Sequence, residues 1–249
     1  MSIDRPAVAP APFRLNLEEA VRAIFKDPHW LKKLALGALF SFLGLFIFGS
    51  IIVQGYLLAY GERVTRAEPY PLPEWEEYGE LLRKGFLGFV VAIVYALPLA
   101  LVGFLIALIS LPLIVAANAS GASANTVGWL VFLPLCGGFA LFVPLLFLAI
   151  FIVPAAHAQL ILHQHDLAAA FRFGVVFGLI RRHLGQYLLM TVLVFVASAF
   201  LSQIGQFACF VGVFATTFIA QLFQYHLLGQ FCWYERVVRG AASQQPALP

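Results

Sequence analysis

Three long stretches of this 249-residue chain contain no charged side chain. Phe86 to Val115, Val127 to Pro154 and Tyr187 to Leu228 are free of Asp, Glu, Lys and Arg. Ion-coupled transporters and pumps usually place ionisable residues at membrane depth, so this absence argues against a proton- or sodium-driven mechanism. It also leaves an intramembrane hydrolase without a carboxylate pair, a metal site or a serine with its base. Charge is scarce overall, at 11% of residues, where a soluble domain carries roughly a quarter. Cysteine is scarce too. Cys136, Cys209 and Cys232 stand alone in apolar sequence with no C-x-x-C spacing, which suggests neither a zinc site nor a disulfide framework. They read as ordinary buried small hydrophobes. Residues 1–33 have no apolar h-region and no cleavage site, so no cleavable signal is expected. The net charge of +3, with basic residues flanking apolar runs, leaves no nucleic-acid footprint.

What the chain has is apolar length. Hydrophobic residues make up 62% of it, the mean hydropathy is +0.91, and several runs exceed the roughly 18 residues that read as a bilayer crossing. The runs are continuous rather than alternating, which disfavours a membrane β-barrel. The expected fold is an all-α polytopic membrane protein, with a single helical membrane domain over residues 15–239 between disordered tails at 1–14 and 240–249.

Asn16 with Glu19 resembles a capping box. Leu17, Ala20, Val21, Ile24 and Phe25 fall on one face of the following helix, so it lies flat on the membrane surface or packs on the protein's own end. Leu34 to Tyr60 is the first apolar segment, with Gly44 and Gly49 able to bend it. Pro69, Pro71 and Pro73 then break the chain. Glu74 to Lys84 reads as a second surface helix stopped by Gly85, its acidic start and basic end suiting the helix dipole. Pro98, Pro112, Pro134 and Pro144 interrupt the next two spans. Leu167 to Ile180 is short for a crossing and reads as interfacial. Tyr187–Leu201 and Phe207–Leu228 form a hairpin around Ser202–Gln206. Trp30, Trp75 and Trp233 are expected to anchor one interface and Trp129 the other.

Six Lys and Arg residues precede Leu34, four lie between Tyr60 and Phe86, three between Pro154 and Tyr187, and two follow Leu228. The loops 116–126 and 202–206 have none. The positive-inside rule therefore makes the basic segments cytoplasmic and those loops external. Four crossings alternate correctly from Phe86 onward. The segment 34–60 must then enter and leave on one side, as a re-entrant hairpin; the alternative is five plain crossings. Both termini are expected in the cytoplasm of a prokaryotic inner membrane. The chain also repeats itself: GYLLAYGERVTR at Gly55–Arg66 and GQFCWYERVVR at Gly229–Arg239 both pass from an apolar run into Glu-Arg-Val-x-Arg, which suggests an internal duplication.

Three patches carry a resemblance. Lys26-Asp27-Pro28-His29-Trp30-Leu31-Lys32-Lys33, Gly55-Tyr56 and Leu72-Pro73-Glu74-Trp75, with Ala170-Phe171-Arg172-Phe173, Arg181-Arg182 and Tyr187 further on, resemble the prokaryotic membrane-protein family catalogued as domain of unknown function 4013. The resemblance covers roughly residues 15–235. It implies a helical-hairpin membrane protein and carries over no activity, cofactor or catalytic residue.

His157, His163, His165 and Asp166 cluster at one helix end, and His with carboxylate can hold zinc. A His-x-His pair on a helix, however, points its rings about 200° apart. His157 and His226 are the pair that a haem held across two helices would need. The plainer reading makes Gln221, Gln224 and His226 hydrogen-bonding groups between helices. No metal or cofactor is expected. Arg63, Arg66, Arg181, Arg182, Arg236 and Arg239 share the cytoplasmic side, where they set topology and meet anionic headgroups, or dock a partner protein or second copy. The functional expectation is a non-enzymatic membrane scaffold or accessory subunit acting through this basic face. The alternative is a carrier for an uncharged or lipid-like substrate, using the prolines to break helices.

Overall fold

The computed structural model describes the backbone of residues 15–121, 123–207 and 209–243. The tail expected at 1–14 and residues 244–249 of the tail expected at 240–249 lie outside the described residues, while residues 240–243 of that second tail belong instead to the last helix. Among the described residues there is no strand. The helices are α1 (Leu17–Phe25), α2 (Trp30–Leu43), α3 (Phe48–Thr65), α4 (Tyr78–Ala119), α5 (Ala124–Leu162), α6 (Leu167–Phe171), α7 (Phe173–Arg182), α8 (Leu184–Phe207) and α9 (Cys209–Ser243). Among the described residues, Tyr78–Ala119, Asn125–Leu162 and Leu184–Phe207 are long and apolar enough to cross a membrane. The chain divides into two compact units. One joins the residues before Val90 to those from Ala156 onward; the other is Val90–Ala155.

The second unit comprises the parts of α4 and α5 between Val90 and Ala155, linked through Gly121 with φ at +68°. Pro98, Pro112, Pro134, Pro144 and Pro154 all lie inside continuous helices. The interruptions expected at Pro98, Pro112, Pro134 and Pro144 do not occur, because a helix in an apolar medium keeps its remaining backbone bonds where water cannot compete for freed carbonyls. A Cβ on Gly138 would run into Ile106 Cδ1, so the two helices approach closely there. Trp129 is exposed, with its ring edge-on to Phe132. Cys136 is exposed, not buried as its apolar surroundings suggested.

In the first unit, α2 and α3 form a hairpin. At about 1.5 Å per residue the 14 residues of α2 reach only about 21 Å, short of a hydrocarbon core of about 30 Å. The tip is wholly apolar: Leu45, Phe46, Ile47 and Phe48 are between 62% and 76% exposed. Much of its backbone is nevertheless bonded internally. Gly44, Leu45 and Phe46 donate to Ser41, Phe42 and Leu43, Gly49 and Ile51 donate to Phe46 and Ile47, and Ser50 Oγ donates to the Gly44 carbonyl. A turn that hides its own amides is the kind that tolerates hydrocarbon.

Helix α9 packs on α2, α3 and α8. Along α3 and α9 the contacts advance together: Tyr56 on Phe218, Tyr60 Oη with His226 Nδ1 at 2.9 Å, and Thr65 Oγ1 on the Gly229 carbonyl at 3.2 Å. The two helices therefore run parallel, and both Glu-Arg-Val tails emerge at the same end of the unit. Glycines bring backbones together. A Cβ on Gly55 would strike the Leu81 carbonyl and one on Gly85 the Ile51 carbonyl, so α3 and α4 touch backbone to backbone. Gly85 is thus a packing residue. The separate surface helix expected at Glu74–Lys84 is instead the first two turns of α4, which starts at Tyr78 and runs on through Gly85. Likewise residues 202–206, expected as a loop, belong to α8, where Gly205 lets the chain press on Val213 of α9.

Helix α1 has the predicted cap, with Glu19 N–H donating to Asn16 Oδ1 at 3.0 Å. Ala20, Ala23 and Ile24 are buried. Gln230 of α9 exchanges two hydrogen bonds with the Asn16 backbone. The helix is thus docked on the protein's own end, while Leu17, Val21 and Phe25 remain exposed.

Candidate functional site

The charged ends of the first unit are built as a series of buried clasps. The first joins the patches Asp27–Lys33 and Leu72–Trp75. Lys33 Nζ donates to Asp27 Oδ2 at 2.8 Å and to the Leu72 carbonyl at 3.0 Å, and lies 2.6 Å from Glu74 Oε1. Burial alone would raise the Asp27 carboxyl, but the Lys33 ammonium and the His29 amide outweigh it and hold the group below its usual 3.8. Trp75 donates from Nε1 to the Lys33 carbonyl and stacks between Phe40 and Tyr56, at 5.0 and 4.1 Å between ring centroids. Tyr56 Oη closes the ring by donating to the Pro73 carbonyl. Trp75, expected to anchor a lipid interface, is instead 5% exposed. The prolines of 69–73 fold the chain back, so its indole meets the aromatic flank of α2 and α3 rather than lipid.

Two further clasps stand at the paired Glu-Arg-Val sequences. Glu62, on α3, is buried against Lys84 of α4 at 2.7 Å, with His165 Nε2 at 3.1 Å and Arg66 at 3.6 Å. Glu235, on α9, is 1% exposed and meets His183 Nε2 at 2.8 Å and Arg182 at 3.3 Å. Each carboxylate has one histidine and at least one permanent cation from another segment. Two such buried ions require partners, because an unpaired charge out of water is costly.

His165 is aimed by a strained turn. Gln164 and His165 take positive φ values of 52° and 67°, and His165 N–H donates to the Leu160 carbonyl at 2.8 Å, the 6→1 bond of a Schellman ending. The neighbouring carbonyl of Ile161 accepts from Arg236 Nη2 at 3.3 Å. A cation at a helix C-terminus is favoured by the dipole. Burial pushes the His165 imidazole below its usual 6.5, and Lys84 and Arg83 add to that, while Glu62 and Glu80 oppose it.

Between these ends lies a cleft of about 320 Å³, lined by Arg66, Arg83, Lys84 and Arg236 as cations, Glu62 and Glu80 as carboxylates, and His165 with Gln164 and Ile161. Of the arginines singled out in the sequence, the cleft unites Arg66 and Arg236. Arg63 is half-buried, 3.8 Å from Glu68, and lines an adjoining cleft rich in glutamate, with Glu74, Glu76 and Glu77. Arg181 is exposed at the end of α7, and Arg182 is held on Glu235. The side chain of Arg239 lies outside the described residues. Trp30 is half-buried with its ring edge-on to Phe25, and Trp233 is 47% exposed. Arg83, Lys84 and His165 were missed in the sequence as cleft residues, because they were absorbed into a surface helix and a histidine cluster. The Glu that precedes Arg in both repeats was the available signal.

The histidine cluster diverges. His157 Nδ1 bonds Tyr225 Oη at 2.9 Å and its Nε2 faces the Gly88 carbonyl at 3.1 Å. His163 Nδ1 turns back on the Gln159 carbonyl. Gln54 donates to the same Tyr225 hydroxyl. His157 and His226 thus each bond a tyrosine of another helix. The helix-to-helix bond expected of His226 is present; Gln221 Oε1 is buried with no hydrogen-bond partner. Among the described residues no group of three or more His, Cys, Asp and Glu side chains converges to hold a metal.

Over residues 38–223, more than half of its length, the chain matches the family described as Protein of unknown function (DUF4013). No curated protein and no solved structure matches it.

Proposed function

The chain belongs to the DUF4013 family, and we propose that this member is a non-enzymatic membrane scaffold or accessory subunit. It works through the basic cleft at the charged end of its first unit. The observation that carries this reading is the convergence of Arg66, Arg83, Lys84 and Arg236, from three helices, around one open cleft whose floor is held by buried ion pairs. A rigid, solvent-reached, cationic surface at the mouth of apolar helices suits recognition of an acidic partner or an anionic lipid headgroup. The tyrosine–histidine and tyrosine–glutamine bonds deeper in the unit join helix to helix and so fit a structural interlock.

The topology that accompanies this reading has α4, α5, α8 and α9 as crossings and the α2–α3 hairpin as a re-entrant element. The short reach of α2, the apolar tip and a turn that bonds much of its own backbone support it. The basic ends then face the cytoplasm by the positive-inside rule. The parallel course of α3 and α9, with Glu62 and Glu235 in matching clasps, supports an internal duplication.

Gentle-detergent purification with mass spectrometry of co-purifying protein and lipid tests the role. A stoichiometric partner protein or retained anionic lipid is expected. Recovery of a lone protein that catalyses flux of an uncharged or lipid-like substrate in proteoliposomes overturns the scaffold in favour of a carrier. For topology, Glu77→Cys and Ser123→Cys in a background without native cysteines report on the two faces. Labelling of Glu77→Cys by an impermeant thiol reagent in intact cells refutes the re-entrant hairpin.

A further inference from the structure

The cleft's charges do not balance. Among the groups that line it, four permanent cations face two carboxylates, which leaves two positive charges in surplus. Lys84 is taken up by Glu62 and Glu80, and Arg66 reaches Glu62 and Glu68 only at 3.6 and 3.5 Å. Arg83 has no ion pair among the described residues, and Arg236 has only the Ile161 carbonyl. His165 lines the same space, about nine-tenths buried, with its Nε2 turned onto Glu62 Oε1 at 3.1 Å.

We propose that this cleft is a binding site for a phosphate monoester dianion, with Arg83 and Arg236 as the chief ligands and Arg66 completing the shell. The inference rests on the reading of the basic cleft as a recognition surface, and it names the ligand class. Two surplus charges match a dianion. Guanidiniums arriving from α3, α4 and α9 suit a tetrahedral oxyanion with acceptors in several directions, whereas a planar carboxylate is satisfied by one bidentate arginine. The ends of α3 and α5 present carbonyls, which repel an anion, so the arginines are what make the site prefer an anion. The ligand comes either as the headgroup of a lipid such as phosphatidic acid or as a soluble phosphomonoester.

The test uses the full chain in detergent, by native mass spectrometry with phosphatidic acid against phosphatidylcholine, and by thermal unfolding with glycerol 3-phosphate. Wild type is expected to retain phosphatidic acid in preference. Arg83→Gln and Arg236→Gln are each expected to weaken retention about tenfold, the worth of one hydrogen bond to a charged group. Arg83 has no ion pair to lose, so Arg83→Gln folds if wild type does, and Arg172→Gln, exposed and outside the cleft, is expected to bind as wild type. Retention of phosphatidic acid alone assigns the lipid source; an equal shift with glycerol 3-phosphate assigns the soluble one. Equal retention by wild type and Arg83→Gln, or no preference over phosphatidylcholine, overturns the site. A partner protein that still co-purifies with Arg83→Gln shows that the scaffold role stands without the phosphate; a wild type that binds phosphate but carries no partner shows the reverse.

Discussion

Replacing Lys33 with Met probes the clasp that joins two of the family-like sequence patches. Lys33 is 3% exposed and Asp27 is 4% exposed. The substitution removes the ammonium 2.8 Å from Asp27 Oδ2 and 3.0 Å from the Leu72 carbonyl. Asp27 keeps the His29 amide, but its other oxygen is left buried and unpaired. Breaking one side of a buried pair costs about 3–5 kcal/mol, which for a chain of this size is about 6–20 °C in Tm. Glu74 is more than half exposed and recovers water, so it adds little. Asp27→Asn/Lys33→Met removes both charges while preserving the acceptor for His29 N–H. It is expected to be milder than the sum of the single changes, with a coupling of about 1–3 kcal/mol. The assay is intrinsic-fluorescence thermal unfolding in detergent, in which Trp75 reports directly because its indole bonds the Lys33 carbonyl. The pH dependence supplies a second handle. The depressed Asp27 carboxyl contributes stability above its unfolded value of about 3.9 and loses it as pH falls through the folded value. Lys33→Met is expected to remove that acid-limb slope. A single variant within about 0.5 kcal/mol of wild type, or strictly additive changes, refutes the clasp.

Gly55→Ala and Gly85→Ala each drive a Cβ into a carbonyl of the facing helix and are expected to cost about 1–3 kcal/mol; Gly103→Ala, with nothing within 4 Å, is expected to be neutral or stabilising by the same unfolding assay. His165 has a folded pKa below 6.5, so the unfolded chain binds more protons just beneath that value and stability rises with pH there, levelling off above it. His165→Gln is expected to flatten the rise just below pH 6.5, and an unchanged slope there removes the assignment. Phe46→Cys at the hairpin tip is expected to resist impermeant thiol reagents from both sides of the membrane, while ready labelling from the side that also labels Ser123→Cys means that the segment crosses.

The family patches were visible in the sequence as separate strings. What they share appeared only in three dimensions: Asp27, Lys33, Tyr56, Pro73 and Trp75 form one hydrogen-bonded and stacked lock. Aromatic and charged residues near a membrane helix end look alike in sequence whether they face lipid or one another. Sequence alone therefore makes Trp75 an interface anchor, and the turn at 69–73 folds it inward. The surface helix at Glu74–Lys84 was misread for a related reason. Gly85 is a sound stop signal in isolation, and its lack of a Cβ serves instead to admit the Ile51 carbonyl of α3.

Apolar length and the distribution of charge fixed the class, because the bilayer imposes its thickness on any chain that enters it. They fixed the helical state too, since apolar surroundings force backbone groups to bond within the segment. Neither term says which helix end lies beside which. Arg66, Arg83, His165 and Arg236 are far apart in the chain and meet because α3 and α9 run parallel, α4 is pressed on α3 through two glycines, and α5 ends in a left-handed turn that swings His165 onto Glu62. Those relations depend on backbone approach and helix direction, which the tertiary structure alone decides.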